Sequence, residues 1–498
     1  MNDWSTGYVS DVGYIRGVYR QQSPLHLDIA CLLGGTSGVN AASAAELSYV
    51  ELGCGQGLGA LTLAASNPHW QVTGVDLLPA HVAEARDFAR EAGLDNVRFL
   101  EADLLTLAED PLSAEIPQAD VVSLHGLWSW VSPPIRAGIV RLLRAKVRPG
   151  GIVHVSYNAL PGWQGALGMQ RVLRESGLRL ASRTDLQAKA GLEVVRELFE
   201  AKAASLVNEA YVKHVLGRTV SGAYLSHEYM NEGWAPCFHA DVAAAMAQAK
   251  LEWVASGQLL ENFTELMLDA KQRAVLDRFE EPVMRELVKD ICVPRGLRHD
   301  VFVRGARRLD TATRDAALGD IVLALSRSPE SFVFEAKVPA GKAGMSLDFY
   351  QPVVAALAER PMRVREILDL PEAKGRGAGA ELVGMLIGTD QAVPATLRQV
   401  GQHERGVRFN RTAARRLGGR PDVLSTAAAL VAGEFGTALP CPGLELLVFD
   451  RLHEGAAADP AALAARLTTD PGERRTLEEA AGRIIAQSVP AWRSLGLL

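Results

Sequence analysis

A regular alternation of strand and helix patterns between residues 47 and 158 restricts this chain more than any other feature. SYVEL, QVTGVD, VRFLEAD, ADVVSLHG and IVHVSYN are rich in Val and Ile and read as strands. Between them GLGALTLAAS, PAHVAEARDFAREAG and PPIRAGIVRLLRAKV read as helices, the second with Pro79 near its first turn. Strands linked this way form βαβ units, and these strands carry apolar residues on both faces. The expected fold is therefore α/β, a Rossmann-like doubly wound sheet.

The 498 residues leave room for several domains. Residues 1–46 read as a lead-in or lid, 47–180 as the nucleoside-binding sheet domain, and 181–335 as a helical domain. LEWVAS near 251 and HDVFVRG near 299 are expected to return to the first sheet as an antiparallel pair, making the helical stretch an insertion. FEAKVPAGKAGMS reads as a linker. Residues 345–498 read as a mainly helical domain of winged-helix-like layout, with Ala-rich helices from about 422.

The chemistry begins at VELGCGQGLG. Glu51 ends a strand, and Gly53, Gly55 and Gly57 follow, where backbone can approach a ligand closely. Such a turn lies at the carboxyl edge of the sheet, where open α/β folds bind ligands. The pattern also satisfies a dinucleotide fingerprint, so NAD competes. Three acids favour a cationic nucleoside. Glu51 repels a pyrophosphate and accepts bonds from an ammonium. Asp76, followed by Leu77, is placed to accept ribose hydroxyls. Asp103, followed by Leu104, is placed to accept the adenine amine. S-adenosylmethionine, leaving as S-adenosylhomocysteine, is the expected cofactor.

His125, Trp128 and Trp130 follow the fourth strand, and Tyr157, Asn158 and Trp163 end or follow the fifth. His125 thus borders both cofactor and acceptor, and Tyr157 and Asn158 are acceptor-side candidates. The tryptophans read either as packing under a loop or as an aromatic channel attractive to cations. A lysine acceptor must lose its proton, and burial in such a channel lowers its pKa. His227-Glu228 resembles the start of H-E-x-x-H, but Asn231 occupies the second ligand position, so no metal is expected there. His26 reads as a packing or capping residue.

The net charge of −6 disfavours a nucleic-acid partner. The basic stretch HERGVRFNRTAARR, near 403–416, is the one feature pointing the other way. Five scattered cysteines without a C-x-x-C pair fit a reducing cytoplasm. No signal peptide or membrane-spanning run is read.

SYNALPGW and YLSHEYMNEGWAPCFHADVAAAMAQAKLEWVASGQLLENF resemble the bacterial class I methyltransferases that carry a methyltransferase regulatory domain. The lead-in GYIRGVYRQQSPLHLDIA is similar to that family's N-terminal segment, with Tyr14 at a cofactor-lid position. The resemblance extends to bacterial outer-membrane-protein lysine methyltransferases and implies a protein substrate and a homodimer. The expected activity is transfer of a methyl group to a protein lysine. A small-molecule acceptor and a non-catalytic cofactor sensor stay open as alternatives.

Overall fold

The computed structural model describes residues 7–9, 11–13, 16–207, 209–217, 222–418 and 426–498. Its centre is a seven-stranded sheet. The first five strands are β1 (Leu47–Leu52), β2 (Trp70–Asp76), β3 (Val97–Glu101), β4 (Ala119–Leu124) and β5 (Val147–Asn158). They pair in parallel in the order β3-β2-β1-β4-β5. The chain reverses direction of growth at β1, so the edge beyond β1 and β4 is the switch point where such sheets hold ligands.

Helix α1 (Pro24–Leu33) precedes the sheet, and α2 (Leu58–Ser66), α3 (Pro79–Ala92) and α4 (Pro133–Lys146) connect its strands. Every residue of β1 is buried, as a strand covered on both faces requires. One apolar core includes Tyr49, Val121 and Ile152. The other includes Val50, Val122 and Val153.

After β5 the chain leaves the sheet for a helical insertion and returns as β6 (Leu251–Ser256) and β7 (Leu297–Arg304). β7 pairs antiparallel with β5, and β6 antiparallel with β7. The insertion has its own core, built on Trp163, Met169, Leu173 and Tyr229. A charge network fastens β7. Arg298, 1% exposed, bonds Asp290 and Asp300 at 2.8 Å each and Glu286 at 2.8 Å. Asp300 also accepts from His239, Trp253 and the hydroxyl of Tyr157.

The C-terminal region is mainly helical, as expected, with short strands set among its helices. A small antiparallel sheet joins Met362–Arg363, Val322–Leu325 and Ala392–Ala395. FEAKVPAGKAGMS is not a linker: Glu335–Val338 and Gly341–Gly344 form a hairpin. The Ala-rich stretch beyond 425 begins as strands, Ala427–Ala432 and Thr437–Pro442, not as helix. Helix propensity loses there because the hairpin is buried against α2, and Asn410 holds the Val431 backbone from both sides. Residues 421–425 of that stretch lie outside the described residues.

The basic helix His403–Gly418 docks on the sheet domain. Arg416 pairs with Glu91 at 2.7 Å, Arg405 with Asp95 at 3.3 Å, and Phe409 stacks on Phe88 of α3. Three of its five arginines, Arg405, Arg411 and Arg416, therefore serve contacts within the protein. The core around α1 and α2 runs without a break into this region, from Leu25 to Trp492.

Breaking a buried ion network by removing one partner leaves uncompensated charge, which costs about 3–5 kcal/mol. Arg298→Ala is accordingly expected to lower unfolding free energy by about that amount in urea titrations. A loss below about 1 kcal/mol would show that β7 is held by packing alone.

Candidate active site

Glu51 is the last residue but one of β1 and is 6% exposed. Its Oε1 accepts from Gln22 Nε2 at 2.9 Å, while Oε2 has no hydrogen-bond partner. Burial, with a smaller contribution from Asp76, pushes its carboxyl up to about 7. The Gln22 bond and the Ala60 amide, in the first turn of α2, act the other way. A Cβ on Gly59 would stand 3.3 Å from the carboxylate, so glycine there lets Glu51 lie against the helix start. The N-terminal end of α2, where a dinucleotide fold seats its pyrophosphate, thus already faces a carboxylate.

The glycine turn is closed in the same sense. The amides of Gly53 and Cys54 donate to Val75 O, and that of Gly57 to Cys54 O. Gly55 N donates to Asp76 Oδ2 at 2.7 Å. Gly57 has φ +76°, and a Cβ on it would strike Phe99, so only glycine fits. A Cβ on Gly55 would meet nothing within 4 Å, so that side of the turn opens onto the cleft.

Asp76 ends β2 and is fixed by Leu78 N at 2.9 Å as well as by Gly55. Its Oδ1 also lies 3.3 Å from His81 Nδ1, so Oδ2, with the Gly55 amide as its one partner among the described residues, keeps a lone pair for a ligand hydroxyl. Leu77 beside it is half-buried. Asp103 lies two residues beyond β3 and caps its own turn through Leu105 N at 2.8 Å. Leu104 is buried in the core under that turn. Glu51, Asp76 and Asp103 therefore stand at one edge of three adjacent strands. A buried carboxylate with a spare oxygen and a glycine turn open to the cleft fit a nucleoside that carries an ammonium.

The lead-in crosses this edge. Arg16 reaches Gln56 in the glycine turn and Glu84 on α3. Tyr19 stacks on His125 with ring centroids 3.8 Å apart. Tyr8 is near enough to Asp76 for its hydroxyl to be held neutral, chiefly by burial. Tyr14 lies outside the described residues.

On the acceptor side the structure separates the candidates. Strand alternation puts His154, Ser156 and Asn158 on one face of β5 and Tyr157 on the other. Tyr157 is fully buried and its hydroxyl donates to Asp300 at 2.5 Å, so it belongs to the β7 charge network and not to the cleft. His125 is half-buried, with Nδ1 3.1 Å from Ser156 Oγ. Asn158 donates to Glu228 at 3.2 Å. Sequence reading missed Glu228 as a partner because it stands 70 positions away, on the Gly222–Tyr229 helix. Burial pushes its carboxyl up to about 7, against the Asn158 bond. His227 bonds Val12 O through Nε2, a structural role.

The tryptophans line no channel. Trp163 donates to Gly296 O at 2.7 Å and packs against Tyr211 and Trp234. Trp128 and Trp130 are buried, with Arg136 over the Trp128 ring. His26 is buried on α1 with Nε2 2.7 Å from Gly257 O, a packing role.

The chain matches the methyltransferase domain family over residues 50–151 and the predicted methyltransferase regulatory domain family over residues 221–304. An uncharacterized protein of Synechocystis sp. is 31% identical over 374 residues, covering 75% of this chain and 73% of the relative. A tRNA (guanine-N(7)-)-methyltransferase of Nocardia farcinica is 27% identical over 118 residues, 22% of this chain and 41% of that enzyme. The solved structure of PKMT2 from Rickettsia typhi in complex with AdoHcy superposes with a TM-score of 0.67 at 16% identity, covering 97% of this chain and 99% of that one. With the α/β sheet, the acid-lined edge and the regulatory segment all in place, the chain belongs to the class I S-adenosylmethionine-dependent methyltransferases that carry a methyltransferase regulatory domain.

Proposed function

We propose that this methyltransferase N-methylates lysine side chains of a protein substrate. The observation that carries the donor half is the buried, half-satisfied Glu51 at the start of α2. The acceptor half is supported by the resemblance of SYNALPGW and the lead-in to bacterial protein lysine methyltransferases, with a fold like that of PKMT2 over 97% of the chain. No helix among the described residues is long and apolar enough to cross a membrane.

In this reading Glu51 holds the ammonium of the methionine moiety. Gly53, Gly55 and Gly57 give it room. Asp76, flanked by Leu77, takes the ribose hydroxyls, and Asp103 with Leu104 frames the adenine. When bound, S-adenosylmethionine supplies an electrophilic methyl on a sulfonium. The protein's task is then to present a neutral amine in line, which is positioning more than covalent chemistry. Asn158 orients the amine, and His125 walls the approach. Glu228 keeps one carboxylate oxygen on Asn158 and offers the other, Oε2, to the departing ammonium proton. A carboxyl near 7 suits that exchange. Residues 1–46 act as a lid, 181–335 bring Glu228 to the site, and 345–498 hold the lead-in in place through Ala427 and Ile387.

Incubation of the enzyme with radiolabelled methyl donor and a host lysate is expected to label protein, with the label on lysine after digestion. Label confined to small molecules would reject the protein acceptor.

The charge state of Glu51 gives a second test. Its folded pKa, about 7, lies above the ordinary carboxyl value of 4.5. In the ligand-free protein the group therefore favours folding fully below about 4.5, and loses that contribution as pH rises through about 7. A cationic ligand needs the ionised form. Affinity for S-adenosylhomocysteine should rise about tenfold per pH unit up to about 7 and level off above it. Glu51→Gln should bind more weakly with a flat profile. A flat profile in the unaltered protein would remove Glu51 from the ammonium site.

A further inference from the structure

One face of the sheet carries a group of imidazoles, of which methyl transfer uses only His125, as a wall of the acceptor approach. His125 follows β4, His154 lies within β5, and His299 lies on β7, three neighbouring strands. The register sets Ser123 opposite His154 and Ser156 opposite His299. The three rings stand nearly parallel, with centroids 5.4 to 6.2 Å apart. One ring nitrogen of each lies within 4.8 Å of the others.

Their hydrogen bonds point the same way. His154 Nε2 is 3.1 Å from His299 Nδ1, while its Nδ1 sits 3.0 Å from Ser123 Oγ. His125 Nδ1 is 3.1 Å from Ser156 Oγ. In two of the three rings a serine hydroxyl thus holds the nitrogen opposite the one facing the group. Metal-binding histidines are oriented by such an outer partner. His154 and His299 are fully buried and His125 is half-buried. His26 of α1 stands beside them, and its own Nδ1 is buried without a partner.

We propose that His125, His154 and His299 form a binding site for one divalent d-block cation of the zinc type. Bonds of about 2.0–2.1 Å from imidazole nitrogen place two ligands of a tetrahedral ion roughly 3.4 Å apart. The His154–His299 pair is already near that spacing. The other separations, at most 4.8 Å, close to it when the rings together move by about 1.4 Å or less. Three nitrogen ligands with no carboxylate among them select against magnesium and calcium. Three protein ligands also leave a fourth position open. Its outlet is the half-buried His125 side, under Tyr19. The ion ties the end of β4 to β5 and β7 beneath the lead-in, replacing the direct hydrogen bond between His154 and His299.

The inference is separate from the choice of methyl acceptor. Its test uses the full chain, stripped with a chelator and titrated with Co²⁺ alone. One Co²⁺ per chain is expected, with the visible absorption of a low-coordinate site, displaced by Zn²⁺ and unaffected by Mg²⁺. His299→Gln and His125→Gln should each weaken binding at least tenfold. His125→Gln changes a half-buried position and is read where the buried variant does not fold. Absence of the absorption in the stripped protein would overturn the site. So would Co²⁺ binding that is unchanged in His125→Gln, because the ion would then lie elsewhere. S-adenosylhomocysteine binding by the same stripped protein keeps the donor site under separate observation.

Discussion

A buried carboxylate with one oxygen unsatisfied is unfavourable by itself, and Glu51 is such a group. It stands where a parallel sheet meets the first turn of a helix, a place that ordinarily attracts anions. Here the position is filled by the protein's own negative charge, so the residual demand is for a cation. Much of the surrounding detail serves that arrangement. Gly59 lacks a side chain that would crowd the carboxylate, and Gln22 ties it to Ser123 and to the lead-in. Asp76 takes the Gly55 amide that a pyrophosphate would need.

The lead-in and the regulatory segment reach this edge, and the C-terminal region packs along α2 and α3 beside it. Val18 pairs with Ala427, and Arg20 bonds Ile387 O, so the chain before α1 is held by the far end of the molecule. The Gly222–Tyr229 helix brings Glu228 to Asn158. The C-terminal region docks on α2 and α3 through Arg416, Arg405 and Phe409. Much of the charge of the basic helix is in this way taken up by acids of the protein itself.

The alternation of strands and helices from Leu47 to Asn158 was legible because a doubly covered sheet leaves a strong apolar pattern. The three acids were legible because strand ends fix them relative to the glycine turn. Other features were hidden for physical reasons. Tyr157 sits next to Asn158 in sequence but on the opposite face of β5, which the period of two in a strand decides. Glu228 and the histidine group depend on strands and helices far apart in the chain, His154 and His299 by 145 residues. The Ala427–Ala432 strand reads as helix from composition, and only its burial against α2 and Asn410 overrides that preference.

Calorimetric titration with S-adenosylhomocysteine and with NAD, in parallel at neutral pH, tests the central charge argument most directly. Saturable binding of S-adenosylhomocysteine with no heat from NAD is the predicted result. Binding of NAD with none of S-adenosylhomocysteine would contradict it, because an edge lined by Glu51, Asp76 and Asp103 would then be accepting a pyrophosphate.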